Sequence, residues 1–140
     1  MDFAGFNTIA ILLAAAASFM FGGVWYGAFS SQWMAAAGVD FDELRTRGGP
    51  VFMPYAVAFL AQLVMAFVLA GTIGHLGLGQ VTLKNGIIAG AMVWAGFVMT
   101  SLIVNHAFQG APRTLTLIDG GHWLGVLVIQ GAIIGWMGVA

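Results

Sequence analysis

Charge is missing from four long stretches of this chain: Phe3 to Val39, Val51 to Leu83, Asn85 to Pro112 and Gly120 to Ala140 contain no Asp, Glu, Lys or Arg. Each can supply the ~20 apolar residues with which an α-helix crosses ~30 Å of hydrocarbon. A helix on a soluble domain would instead show a polar face at the 3.6-residue period. The pattern predicts an all-α membrane protein, a single domain made of a four-transmembrane-helix bundle. Its spans cover about 7–29, 54–74, 84–105 and 119–139, with an interfacial loop over 30–53. Four crossings place both termini on the same side. Pro54 suits the first turn of the second helix, where its missing N–H has no partner to lose, and Asp119 suits the N-cap of the fourth.

The loop from Ser30 to Met53 holds five of the nine charged side chains. Within it, Gln32 to Ala37 is helix-forming and stops at Gly38. Asp40 with Glu43 three residues later has the spacing of a capping box for a second short helix ending at Gly48, Gly49 and Pro50. Trp33, Met34, Phe41 and Leu44 let both pieces lie in the headgroup region, as a connector or as a lid over a site.

Composition agrees with hydrocarbon as the solvent: of 140 residues, 61% are hydrophobic and 6% charged, against roughly 25% charged in soluble domains. A net charge of −1 with four Lys or Arg residues supports no nucleic-acid partner. Cysteine is absent, which removes disulfides, thiolate nucleophiles and Cys-based zinc sites. The first stretch is too long, and too poor in preceding positive charge, for a secretory signal. Arg45, Arg47 and Arg113 fall on one face and Lys84 on the other, so the positive-inside rule puts the termini outside and the Arg-bearing loops in the cytoplasm.

Small residues recur at four-residue spacing: Ala14, Ser18 and Gly22, then Gly23 and Gly27; Gly86 and Gly90; Gly121 and Gly125; Gly131 and Gly135. This spacing lets helix backbones approach closely in lipid, and a surplus beyond internal packing predicts a homo-oligomer. Gln62, Thr100, Ser101 and Gln130 lie deeper and can hydrogen-bond across helices. Trp25, Tyr26, Trp33 and Trp123 have the positions of interfacial anchors, whereas Trp94 falls near the middle of its span as packing or lipid-facing bulk. Val24, Trp25 and Gly27 are faintly echoed by Val93, Trp94 and Gly96.

Antiparallel spans gather the polar chemistry on the Arg-bearing face. The candidate cluster there is Asn105, His106, Arg113, Asp119 and His122. Asp119 and His122, three apart, share a helix face, where a carboxylate can orient an imidazole; the simpler reading is a helix cap beside an interfacial histidine, with Arg113 as an ion-pair partner. No ligand spacing marks a metal site, no nucleophile motif marks an enzyme, and no cofactor is implied. With no charged group in the middle of a span, proton-coupled transport is disfavoured. These residues favour a structural or interaction bundle that self-associates and binds lipid or a membrane partner. The alternative is a small oligomeric channel or carrier for an uncharged or weakly charged solute, lined by Gln62 and Gln130.

Asn7, Gly22, the Trp25–Tyr26 pair, Trp33 and Gly38, followed by Asn105, Phe108, Asp119, Gly121 and Gly131, resemble the pattern of a family of small four-span bacterial membrane proteins classified only as a domain of unknown function. The resemblance covers nearly the whole chain and is most specific at Trp25–Tyr26 with Trp33, and over Asn105 to Asp119. It implies the four-helix fold and a bacterial membrane setting, and it carries over no activity and no catalytic residue.

Overall fold

Why each helix starts and stops can be read from its end residues. The computed structural model describes residues 2–140. Helix α1 spans Thr8–Ala28, and the Asn7 side chain accepts from the Ala10 N–H at 3.1 Å, which satisfies one of the free donors at its start. The chain turns at Phe29 into α2 (Ser30–Ala37), which closes on Gly38 at φ +66°, a conformation open to glycine because it has no Cβ. Helix α3 (Phe41–Thr46) is capped by Asp40, which accepts from the Asp42 N–H rather than from Glu43, so Asp40 is a simple N-cap and the expected reciprocal capping box is not formed. Helix α4 (Met53–Gly74) has Pro54 in its first turn, as expected.

The third span runs from Leu83 to Gln109, four residues past its expected end. It consists of α5 (Leu83–Val93), a π-helical turn over Trp94–Val98, and α6 (Met99–Gln109). In the π turn the Met99 N–H reaches back five residues to the Trp94 carbonyl. Gly110, at φ +65°, ends α6: its N–H bonds to Ala107 O and the Ala111 N–H to His106 O, a Schellman closure. Pro112 then opens α7 (Arg113–Met137). The fourth span therefore begins six residues earlier than expected, and Asp119 is not its cap but lies inside its second turn.

Four of these helices are long and apolar enough to cross a membrane. Helix α7 is the hub: α5 and α1 pack along it, and α4 closes against both α1 and α7. The core is built from small and branched side chains, Ala14 and Ala15 of α1 meeting Ala66, Leu69, Ala70 and Ile73 of α4, with Leu127 and Ile134 of α7 beneath. The outward faces are apolar too, with Ile9, Leu13, Met20 and Val24 on α1 and Val57, Leu60, Val64 and Val68 on α4 all exposed, which suits lipid and not water. The Ala4 N–H bonds to Gly74 O, and Gly135 lies against Thr82, so both termini sit at the end of the bundle that carries the α4–α5 turn.

The small-residue pattern finds its partners within the chain. A Cβ on Gly86 would collide with the Gly131 carbonyl, one on Gly90 with that of Leu127, and one on Gly135 with that of Thr82, so the backbones of α5 and α7 touch directly. On the other side of α7, Gly121 receives the Trp25 ring and Gly125 the Phe21 ring. Gly22 lies against His122. Gly23, Gly27 and Gly96 face open space.

Three helices are also joined by a buried polar knot. Gln130 of α7, fully buried, donates from Nε2 to Ser18 Oγ (3.0 Å) and to the Gln62 carbonyl (3.0 Å). The Ser18 hydroxyl is in turn within reach of Gln62 Oε1 (2.9 Å) and of its own Ala15 carbonyl (3.1 Å). The two other polar residues expected to bridge helices do not. Thr100 and Ser101 are exposed and turn back to the Gly96 and Phe97 carbonyls one helical turn earlier.

Candidate functional site

The polar side chains converge where α1 ends and α7 begins. Tyr26 lies in the last turn of α1, and its hydroxyl donates to Asp119 Oδ1 at 2.6 Å. The other carboxylate oxygen lies 3.9 Å from His106 Nε2 of α6. His106 Nδ1 in turn lies 2.8 Å from Thr116 Oγ1, one turn before Asp119 on α7. Three spans thus contribute to one carboxylate. An ionisable side chain within a span needs such partners, because hydrocarbon offers it no water to replace them.

The backbone around Asp119 is gripped from both sides. Trp25 Nε1 donates to the Ile118 carbonyl (3.0 Å) from α1, and Trp94 Nε1 to the Gly120 carbonyl (2.8 Å) from the π turn of the third span. The two tryptophans of the Val-Trp-x-Gly echo therefore perform the same task on carbonyls two residues apart. Trp25 and Tyr26, expected as interfacial anchors, turn inward to α7, and Trp94 is a packing residue with a hydrogen bond.

His122 sits one turn beyond Asp119 but makes no hydrogen bond to it. It is 4% exposed, between the rings of Phe21, Tyr26 and Trp123, with Nε2 against Gly22, and its Nδ1 has no hydrogen-bond partner among the described residues. The carboxylate–imidazole pair of the fourth helix is instead made between helices, by Asp119 and His106. Asn105 and Arg113 are exposed and stand apart from this cluster, and Arg113 makes no ion pair with Asp119. Asn105 precedes His106 on the helix, so when His106 turns to α7 its neighbour is carried to the outer face. Among the described residues no third His or carboxylate joins His106 and Asp119 closely enough to hold a metal ion.

Tyr26, Asp119 and His122 all line a cavity of about 790 Å³. Its α1 wall is low because Gly22, Gly23 and Gly27 present no side chains. Pro54, Tyr55 and Ala58 of α4 form the facing wall, and Gln62 lies at its inner end. Helices α2 and α3 roof it: Trp33 of α2 and Phe41 and Leu44 of α3 all face in, with Trp33 set edge-on to Tyr26 (6.1 Å) and near-parallel to Phe41 (6.1 Å). The loop is a lid in the geometric sense, covering a hollow whose walls are aromatic and whose polar groups are few.

Sequence reasoning grouped Tyr26, Tyr55, His106, Asp119 and His122 on one face but missed Thr116 and the glycine wall of the cavity. Gly110 and Pro112, a stop signal followed by a start signal, were sufficient to place Asp119 in the second turn of α7 and so inside the span.

No curated protein and no solved structure matches the chain. A family model described as "Protein of unknown function (DUF1761)" matches residues 9–135, which takes in nearly all of the four spans, α2 and α3 and every residue of the polar cluster, and the chain accordingly belongs to that family.

Proposed function

We propose that this multi-pass membrane protein is a binding protein, which holds one amphipathic small molecule or lipid in the cavity beneath the α2–α3 lid. The observation that carries this reading is the cavity itself. Its volume falls in the range of ligand sites, its walls are largely apolar, and three of its polar residues, Tyr26, Asp119 and His122, converge at one place. His122 Nδ1 and Gln130 Oε1 are buried polar atoms that lack a hydrogen-bond partner among the described residues, and of the two only His122 belongs to a residue of the cavity lining. Gly23→Leu tests the proposal by filling the hollow from a position where a side chain meets nothing. Native mass spectrometry of protein released from mild detergent should show a retained lipid or small amphiphile on the unaltered chain and none on the variant. Identical adduct patterns on both would refute the reading.

The alternative of an oligomeric channel lined by Gln62 and Gln130 gains no support, because Gln130 Nε2 is taken by Ser18 Oγ and the Gln62 backbone carbonyl, and Gln62 Oε1 by the Ser18 hydroxyl. For self-association, the glycines of α5 and α7 at four-residue spacing are occupied within the chain, which leaves Gly23 and Gly27 of α1 and Gly96 of the third span as small residues facing open space. Light scattering of the detergent-solubilised protein measures this directly. The setting we infer is a bacterial inner membrane, with the cavity at the cytoplasmic face. Arg45, Arg47 and Arg113 lie at the cavity end of the bundle and Lys84 at the other. A C-terminal fusion to a phosphatase active only outside the cytoplasm should then be active, and an inactive one reverses the orientation.

A further inference from the structure

The chemistry of the cavity wall selects among ligands, and this step rests on the binding role proposed above. Asp119, as a carboxylate, brings one negative charge to the lining, and among the described lining residues there is no Lys or Arg to neutralise it. The lid above adds Asp40, Asp42 and Glu43 against Arg45 and Arg47, so the mouth is not a cationic one. An anionic headgroup would therefore enter against charge on both counts.

The rest of the wall is aromatic. Tyr26 and Trp123 flank Asp119, Trp33 and Phe41 form the roof, and Tyr55 stands opposite on α4. The faces of such rings attract cations through their quadrupole, most strongly where water is displaced. Hydrogen-bond acceptors are fewer than rings: Ser30 and Tyr55 offer one hydroxyl each, and Gln62 Oε1 already takes the Ser18 hydroxyl. One Asp119 oxygen already takes the Tyr26 hydroxyl and the other faces His106. A primary ammonium needs acceptors for three N–H donors, whereas a tertiary ammonium needs one and a quaternary ammonium none, and both gain more from rings. We propose that the ligand carries a tertiary or quaternary ammonium on an apolar body, its cation held among Tyr26, Trp33 and Trp123 near Asp119. A choline-type lipid headgroup and a free amphipathic cation share this chemistry.

The test measures binding of tritiated decyltrimethylammonium to the protein in nonionic maltoside micelles, with protein-free micelles subtracted. Its comparator is the uncharged isostere in which a tert-butyl group replaces the trimethylammonium head. The cation should bind one per chain and at least tenfold more tightly than the isostere. Asp119→Asn should bring the two together, and Trp33→Leu, on the lid and outside the bundle core, should weaken the cation several-fold while leaving the isostere little changed. Trp33→Leu keeps the proposal open to refutation even if Asp119→Asn fails to fold. Phosphatidylcholine and phosphatidylglycerol with identical chains then serve as competitors. Displacement by phosphatidylcholine alone assigns the cation to a lipid headgroup, and displacement by neither assigns it to a free amphiphile. Equal binding of cation and isostere, an unchanged cation preference in both variants, or equal displacement by the two lipids overturns the proposal. Binding of neither probe overturns the binding role itself.

Discussion

Tyr26 and Asp119, 93 residues apart in sequence, meet at 2.6 Å and tie the end of the first span to the second turn of the last. The hydroxyl donates to a carboxylate, and hydrogen bonds to charged groups are the stronger kind, contributing roughly 1.5–3 kcal/mol. Tyr26→Phe should cost about that much, since it leaves the carboxylate in place without its donor. Asp119→Asn should cost less, because the amide oxygen can still accept. In a double-mutant cycle with Asp119→Ala, read by reversible unfolding in mixed micelles, Tyr26→Phe should be nearly free once the acceptor at position 119 is gone. Simple additivity of the two losses would show that the bond contributes nothing.

Glycines of opposite environment should answer the same substitution with opposite signs. Gly86→Ala and Gly131→Ala each drive a methyl into the facing backbone, which cannot rotate away as a side chain can. Overpacking of this sort costs about 1–3 kcal/mol or more, and it should appear as a lowered unfolding midpoint in mixed micelles. Gly23→Ala, on an exposed stretch of helix with nothing within 4 Å, should instead gain roughly 0.5–1 kcal/mol through helix propensity. If all three variants fall together, helix flexibility rather than close approach explains the pattern.

The buried knot of Ser18, Gln62 and Gln130 should be worth modest energy. Measured hydrogen bonds between membrane helices average about 0.6 kcal/mol and reach ~1.7, because the unpacked helices also find partners. Gln130→Leu keeps most of the volume and removes both donated bonds, so a loss of about 1–2 kcal/mol is expected. Ser18→Ala should then add little on top of it. A further full-sized loss on adding Ser18→Ala would separate the serine from the network.

What could be read in advance follows from which interactions are local. Spans were legible because the absence of charge over ~20 residues is a one-dimensional property. The closures at Gly38 and around Pro54 were legible because end signals lie within a few residues of the ends they mark. Glycine pairs at four-residue spacing announced close approach, yet nothing in the spacing of Gly86 and Gly90 says that α7 is the partner. That depends on how each helix is rotated, which the packing of all four decides together. The same rotation turned Asn105 and Arg113 away from the site and sent His106, not His122, to Asp119. Trp25 and Tyr26 look like belt anchors by composition alone. Their hydrogen bonds to α7 became visible only when the start of α7 moved back to Arg113.

The seam between α1 and α7 makes a prediction about compensation. Large aromatic rings of α1 fill places that glycines of α7 leave empty: a Cβ on Gly121 would lie 2.7 Å from Trp25 Cζ2, and one on Gly125 would strike the Phe21 ring. Gly125→Ala should therefore cost about 1–3 kcal/mol in unfolding free energy. Phe21→Leu alone should also destabilise, by the loss of ring contacts. Combined, the two should cost clearly less than their sum, because the smaller side chain vacates the space the methyl needs. Gly121→Ala should likewise displace the Trp25 ring and with it the bond to Ile118, so its loss should approach that of Trp25→Phe. If Gly125→Ala is as costly with Leu at position 21 as with Phe, the strain lies in the helix backbone and not in this fit of ring against glycine.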